Sequence, residues 1–129
     1  MKLDEVKKVI EEVLPKVEAH YGHSKFFDTF PYLEFETSIY GRLADEEDDG
    51  ETGEETPEAE FDRIDNSIVI YYPRMQNREH IIQTLVHEYQ HYLQSPLWMK
   101  RYYTMGYDYS DHPYEVAAYA EESNWKIFN

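Results

Sequence analysis

The sequence predicts a single α+β domain in which several helices flank a three-stranded antiparallel sheet. Three observations lead there. Apolar residues recur at helical spacing near the N-terminus and again through the middle of the chain. Between those segments they alternate with polar residues or run unbroken for a few positions, as strands do. A length of 129 residues suits one domain, and the 41% hydrophobic and 16% aromatic content, with 13 Tyr and 6 Phe, can build a core despite a mean hydropathy of -0.80.

In the first predicted helix Leu3, Val6, Ile10, Val13, Leu14 and Val17 form the apolar stripe, with Lys7, Lys8, Glu11 and Glu12 opposite. Pro15 is expected to kink or divide it, because proline lacks the donor and crowds the preceding turn. Residues Tyr21 to Pro31 read as a connector. Leu33, Phe35, Thr37 and Ile39 then alternate with Glu34, Glu36, Ser38 and Tyr40, the period of a half-buried strand. Two further strands, Phe61–Ile64 and Ser67–Tyr72, flank Asp65-Asn66, a pair that tolerates the backbone of a tight hairpin turn. The simplest arrangement of the three is antiparallel.

The segment from Asn77 to Gln94 carries the apolar stripe Ile81, Ile82, Leu85, Tyr89, Tyr92 and Leu93 and reads as the central helix. Ser95-Pro96 fits an N-cap followed by proline at the first helical position, and Gly106 suits a C-terminal cap, so Leu97 to Thr104 reads as a short helix. Ser110-Asp111-His112-Pro113 opens a last helix from Tyr114 to about Lys126, where Val116, Tyr119, Ala120 and Ser123 share a face.

The net charge of -15 is unevenly spread, because Asp45 to Glu60 holds ten acids and no base. Outside that span 17 acids face 12 bases, so the body is only mildly acidic. The span reads as a flexible acidic insert in one domain over residues 1–129, too polar to bury itself. It reads first as a solvated loop that keeps the protein soluble, and the alternatives are a docking surface for a basic protein partner or a mimic of nucleic-acid charge. No Lys/Arg patch exists to hold a phosphate backbone, so no nucleic-acid partner is expected. Nor is a membrane partner, because no apolar run approaches the roughly 20 residues of a span. Met1-Lys2-Leu3-Asp4-Glu5 puts charges where a secretory signal has its apolar segment, and the expected location is cytoplasmic. With no Cys, any metal must be held by His, Asp or Glu.

Such a site is written into the central helix. His87-Glu88-Tyr89-Gln90-His91 is the pattern H-E-x-x-H. Histidines at i and i+4 lie one above the other on a helix and can reach one ion, which fits Zn²⁺. Glu88, rotated about 100° from His87, stands beside that ion as a general base for water attacking a polarised carbonyl. This division of labour is that of metal-dependent peptide hydrolysis.

A catalytic zinc takes three protein ligands and leaves one position open. The continuation x-x-G-x-x-H is absent, because Gln94 and Leu97 occupy its Gly and His positions. Glu115, 24 residues beyond His91 in the first turn of the last helix, is the best third donor, and small Ala118 would let that helix approach the motif closely. An acid in a first turn also faces the helix dipole favourably without any metal. His112 is the alternative ligand, followed by Asp108 and Asp111. His20, His23 and His80 read as surface or structural histidines.

The run from Glu79 through Glu122, with HEYQH and a downstream E-x-x-A helix, resembles the gluzincin class of zinc metallopeptidases, in particular its minimal single-domain members. The strand Ile68–Tyr71 ahead of the motif helix also resembles SprT-like zinc metalloprotease domains, although their third His has no counterpart here. The resemblance covers about the C-terminal two-thirds of the chain. It implies a small zincin-like domain, zinc on His87, His91 and Glu115, Glu88 as catalytic base, and a peptide or protein substrate paired along an edge strand. The family's E-x-x-A-D is met only as Glu115, Ala118 and Tyr119, so the acid that orients a histidine is missing or supplied from elsewhere. Tyr107, Tyr109, Tyr114 and Tyr119 are candidates for stabilising an oxyanion. A competing reading is a non-catalytic binding module on the same fold, engaging a basic partner through its acidic loop. A metal-free acidic structural protein is a third.

Overall fold

A computed structural model describes residues 1–39 and 56–129. Tyr40 of the first predicted strand and most of the acidic insert, residues 45–55, lie outside them. The molecule is α+β, with a three-stranded mixed sheet packed with helices.

Helix α1 (Leu3–Tyr21) buries Val6, Ile10, Val13 and Val17. The Glu5 carboxylate accepts from the Lys2 N–H at 3.2 Å, satisfying one of the donors that a helix start leaves over. Pro15 neither divides nor ends the helix. It sits on the solvent side, as does Glu11, the residue whose carbonyl loses its helical donor. The helix stops at Gly22, whose φ of 83° is in the left-handed region glycine tolerates.

Strands β1 (Tyr32–Glu36), β2 (Ala59–Asp62) and β3 (Ser67–Tyr71) stand in the order β1-β3-β2. The expected hairpin forms, with Phe61 opposite Ile68 and Ala59 opposite Ile70. Its turn is longer than the sequence suggests, so β2 ends at Asp62. The Asp62 Oδ1 accepts from the Ile64 N–H at 2.9 Å, and Asn66 takes a φ of 54°. An all-antiparallel sheet is corrected: β1 pairs with β3 in parallel, Leu33 beside Ile68 and Phe35 beside Ile70. The reason lies in burial. Ile68, Val69, Ile70 and Tyr71 are fully buried, so this strand needs cover on both faces and takes the centre. With β2 fixed to one side by a tight turn, β1 is left the other. Its C-terminal end and the start of β2 then lie at the same end of the sheet.

Helix α2 (Arg78–Leu93) is capped by Asn77, whose side chain accepts from the His80 N–H at 2.9 Å. Ile81, Ile82, Leu85, Val86, Tyr89 and Tyr92 are buried in a core shared with α1 and β3. Helix α3 (Pro96–Thr104) begins as expected at Ser95-Pro96 and buries no residue. The single last helix of the sequence reading is three pieces: α4 (Pro113–Glu121), a 3-10 turn (Glu122–Asn124) and α5 (Trp125–Phe128). Ser123 Oγ donates to the Ala120 carbonyl at 3.1 Å and Asn124 Nδ2 to Glu121 Oε1 at 2.9 Å, local bonds that compete with helical geometry. The face of α4 also differs from expectation. Val116 and Tyr119 are more than half exposed, while Glu115 and Ala118 are buried against α2. Among the described residues no helix is long and apolar enough to cross a membrane.

Candidate metal centre

Helical spacing brings His87 and His91 to one face of α2, with ring centroids 5.1 Å apart. Fully buried Ala118, three residues beyond Glu115, has only a methyl group to place between α4 and α2. Glu115 therefore reaches both rings, its Oε1 lying 2.9 Å from His87 Nε2 and 3.0 Å from His91 Nε2. All three side chains are buried. Their donor atoms lie within 4.8 Å of one another, and the group could hold a metal ion.

The far nitrogens of the two rings decide how well the group fits that role. His87 Nδ1–H donates to Glu122 Oε2 at 2.7 Å and His91 Nδ1–H to Gln94 Oε1 at 2.7 Å. The Gln94 amide orientation is fixed from its other end, because its Nε2 donates to the Tyr114 carbonyl at 3.1 Å. With both Nδ1 atoms committed as donors, the Nε2 lone pairs are the ones available to a cation. Two imidazoles and one carboxylate, each oriented, is a donor set suited to a divalent transition metal.

Electrostatics agree with a site poised for positive charge. Burial alone would lower the His87 pKa, but its bonds to Glu115 and Glu122 outweigh that and raise it to about 10. His91 is shifted up in the same way against burial, chiefly by Glu115. Burial would raise Glu115, yet the two histidines pull it down to about 2. Glu88 behaves oppositely. Buried without a side-chain hydrogen bond among the described residues, it is pushed up to about 7 although His91 and His87 oppose the shift. Its carboxyl lines the cleft beside the cluster.

Two arms of that cleft share Pro57, Ala59, Glu88 and Tyr109 as bordering residues. The larger, about 720 Å³, runs between β2 and α3 past His91 and Glu115. The smaller, about 400 Å³, lies past His87, His80, Glu122 and Tyr119. Ala59, Glu60, Phe61 and Asp62 are consecutive and all border the larger arm. A strand presents alternate residues to each face, so it is the edge of β2 that faces this space. No strand pairs with that edge among the described residues.

No protein-family model matches the chain, and comparison with curated proteins and with solved structures returns no match.

Of the residues singled out by sequence, His87, His91 and Glu115 come together and Glu88 stands beside them. His112 does not join them. Fully buried, it accepts from the Tyr114 N–H through Nδ1 at 3.1 Å, capping α4, and donates from Nε2 to the Met99 carbonyl at 2.9 Å. Asp108 and Asp111 are exposed. His80 Nε2 pairs with Glu58 Oε2 at 2.9 Å, and His23 Nδ1 lies 2.6 Å from the Ser24 carbonyl oxygen. Of the tyrosines, Tyr109 borders both arms and Tyr119 packs edge-on to His87 at 4.6 Å between centroids. Sequence reasoning missed Gln94 and Glu122 as partners of the ligand rings. A weak signal existed in their spacing, three residues after His91 and seven after Glu115.

Proposed function

We propose that the protein is a zinc-dependent metallopeptidase of zincin-like, minimal gluzincin type. The observation that carries this reading is the convergence of both motif Nε2 atoms on Glu115 Oε1, with the buried Glu88 carboxyl, which makes no side-chain hydrogen bond among the described residues, beside them. His87, His91 and Glu115 hold the metal. When bound, zinc supplies Lewis acidity that polarises a carbonyl and eases the ionisation of water. Glu88 takes the proton of the attacking water and returns it to the leaving amine, a role that suits a carboxyl whose affinity for protons burial has brought near neutrality. Tyr109, which borders both arms, donates its hydroxyl to the developing oxyanion. The open edge of β2 supports an extended polypeptide as substrate, pairing through its backbone as an added strand.

The test is Glu88→Gln in zinc-loaded protein acting on a denatured polypeptide. The variant should keep one zinc per chain and lose about 10²–10⁴-fold in kcat/KM. Undiminished hydrolysis in the variant, or a wild type that takes up no zinc when supplied with it, would sink the proposal.

A further inference from the structure

Tyr21, the last residue of α1, donates its hydroxyl to Glu121 Oε1 at 2.9 Å. Glu121 ends α4, and the next residue is Glu122, whose carboxylate holds His87 Nδ1. Gly22, which follows Tyr21, accepts from the Tyr89 hydroxyl at 2.6 Å. Tyr89 stands inside the motif, two positions after His87. Two consecutive residues at the end of α1 are thus bonded to both elements that carry the metal-site groups, across sequence separations of 100 and 67 residues.

The local geometry explains how one short stretch reaches both. At Gly22 the φ of 83° turns the backbone out of the helix while the Gly22 N–H still closes on the Glu18 carbonyl at 2.8 Å, and the Gly22 carbonyl is left to meet α2. The half-buried Tyr21 ring packs beside those of Tyr89 and Phe128, with centroids 6.0 and 5.9 Å away. Burial and the bond to Glu121 push its hydroxyl up to about 12 although Asn124 opposes the shift, so it stays a donor at any physiological pH.

At the receiving end Glu121 Oε1 also accepts from Asn124 Nδ2 at 2.9 Å, a bond that spans the 3-10 turn holding Glu122. Glu121 and Glu122 share right-handed helical backbone angles, so a fixed Glu121 fixes the origin of the Glu122 side chain. That support matters because α4 has only nine residues, too few to hold its own end rigid.

Resting on the metal-binding reading above, we propose that Tyr21 is a positioning residue of the metal centre: its hydroxyl, through Glu121, keeps Glu122 where it orients the His87 ring.

Zinc affinity of the full chain, measured by competition with a chromophoric chelator, tests this. Tyr21→Phe keeps the ring and removes only the donor. It should weaken zinc binding about 2–10-fold while saturating zinc still gives one ion per chain. Glu121→Ala removes the same bond from its other end and leaves the Tyr21 ring contacts intact, so it should match that loss even if Tyr21→Phe weakens the fold. Glu121→Gln retains an oxygen that accepts from the phenol and should restore wild-type affinity. In the Glu122→Gln background Tyr21→Phe should add no further loss, because the acid through which it acts is already replaced. Wild-type affinity in both Tyr21→Phe and Glu121→Ala overturns the role of Tyr21. So does a loss in Glu121→Gln equal to that in Glu121→Ala, or a loss by Tyr21→Phe that is undiminished beside Glu122→Gln. The wild type keeps the two proposals apart: if it binds zinc and the variants equal it, only the positioning role falls; if it takes up no zinc, the metal-binding reading falls as well.

Discussion

His87 donates its Nδ1 proton to Glu122 Oε2 across 2.7 Å, and so the first turn beyond α4 orients a ring carried by α2. Gln94 does the same for His91. Such partners fix ring orientation and raise ligand basicity, and their loss typically weakens metal binding about 10–100-fold. Glu122→Gln and Gln94→Leu should each lower zinc affinity by about that factor while saturating zinc still gives one ion per chain. Competition against a chromophoric chelator measures this. Wild-type affinity in both variants would show that the two bonds do not support the ligands.

Metal uptake should release protons. In the metal-free protein at neutral pH His87, raised to about 10, carries a proton on the nitrogen that faces Glu115, which at about 2 is ionised, and His91 is shifted in the same direction. A cation must displace any proton held on the two Nε2 atoms. At least one proton per zinc is expected at pH 7, read from calorimetric titrations in buffers of different ionisation enthalpy. A value of zero would mean that the rings are neutral before metal arrives.

The chelated protein should be most stable in mildly acidic solution. A raised histidine gives stability that is fully present below its ordinary pKa of about 6.5 and is lost as pH climbs through the folded value, here about 10 for His87. The depressed Glu115 gives stability present above about 4.5 and lost as pH falls toward about 2. Glu88, raised to about 7, has the sign of the histidine and removes stability as pH climbs from about 4.5 to about 7. Thermal melts with excess chelator should therefore peak near pH 4.5, falling off below it as Glu115 is protonated and above it first through Glu88 and then, beyond about pH 6.5, through the histidines. Glu88→Gln should flatten the part of the decline below pH 7. A melting temperature that rises steadily from pH 5 to pH 9 would contradict these assignments.

His112→Ala separates a cap from a ligand. It removes the acceptor of the Tyr114 N–H and the donor to the Met99 carbonyl, both at a fully buried ring. A loss of about 1–3 kcal/mol in unfolding free energy is expected, with one zinc per chain retained at saturation. A folded variant that binds no zinc would make His112 a ligand after all.

Much of the local structure was legible in the sequence because it depends on near neighbours. The i, i+4 spacing of His87 and His91 fixes a shared helix face whatever surrounds it, and Ser95-Pro96 opens α3 by local hydrogen bonding and fixed backbone angles. Asp65-Asn66 likewise marked the turn that makes β2 and β3 antiparallel neighbours. The choice of partners was not legible, because it is made by packing between distant segments. β1 runs parallel to β3 because β3 needs cover on both faces, a demand that alternation within β1 does not record. Glu115 and His112 lie three residues apart around Pro113, and their residue types alone could not assign their roles. The approach of α4 to α2 over Ala118 turns Glu115 toward the two rings and leaves His112 to cap the helix. Gln94 and Glu122 acquire their roles from the same approach. Sequence set which chemical groups were available and on which face of each helix they stood; the burial of Ala118 and of β3 decided which of those groups meet, since contact between remote segments follows the apolar surface they must jointly exclude from water.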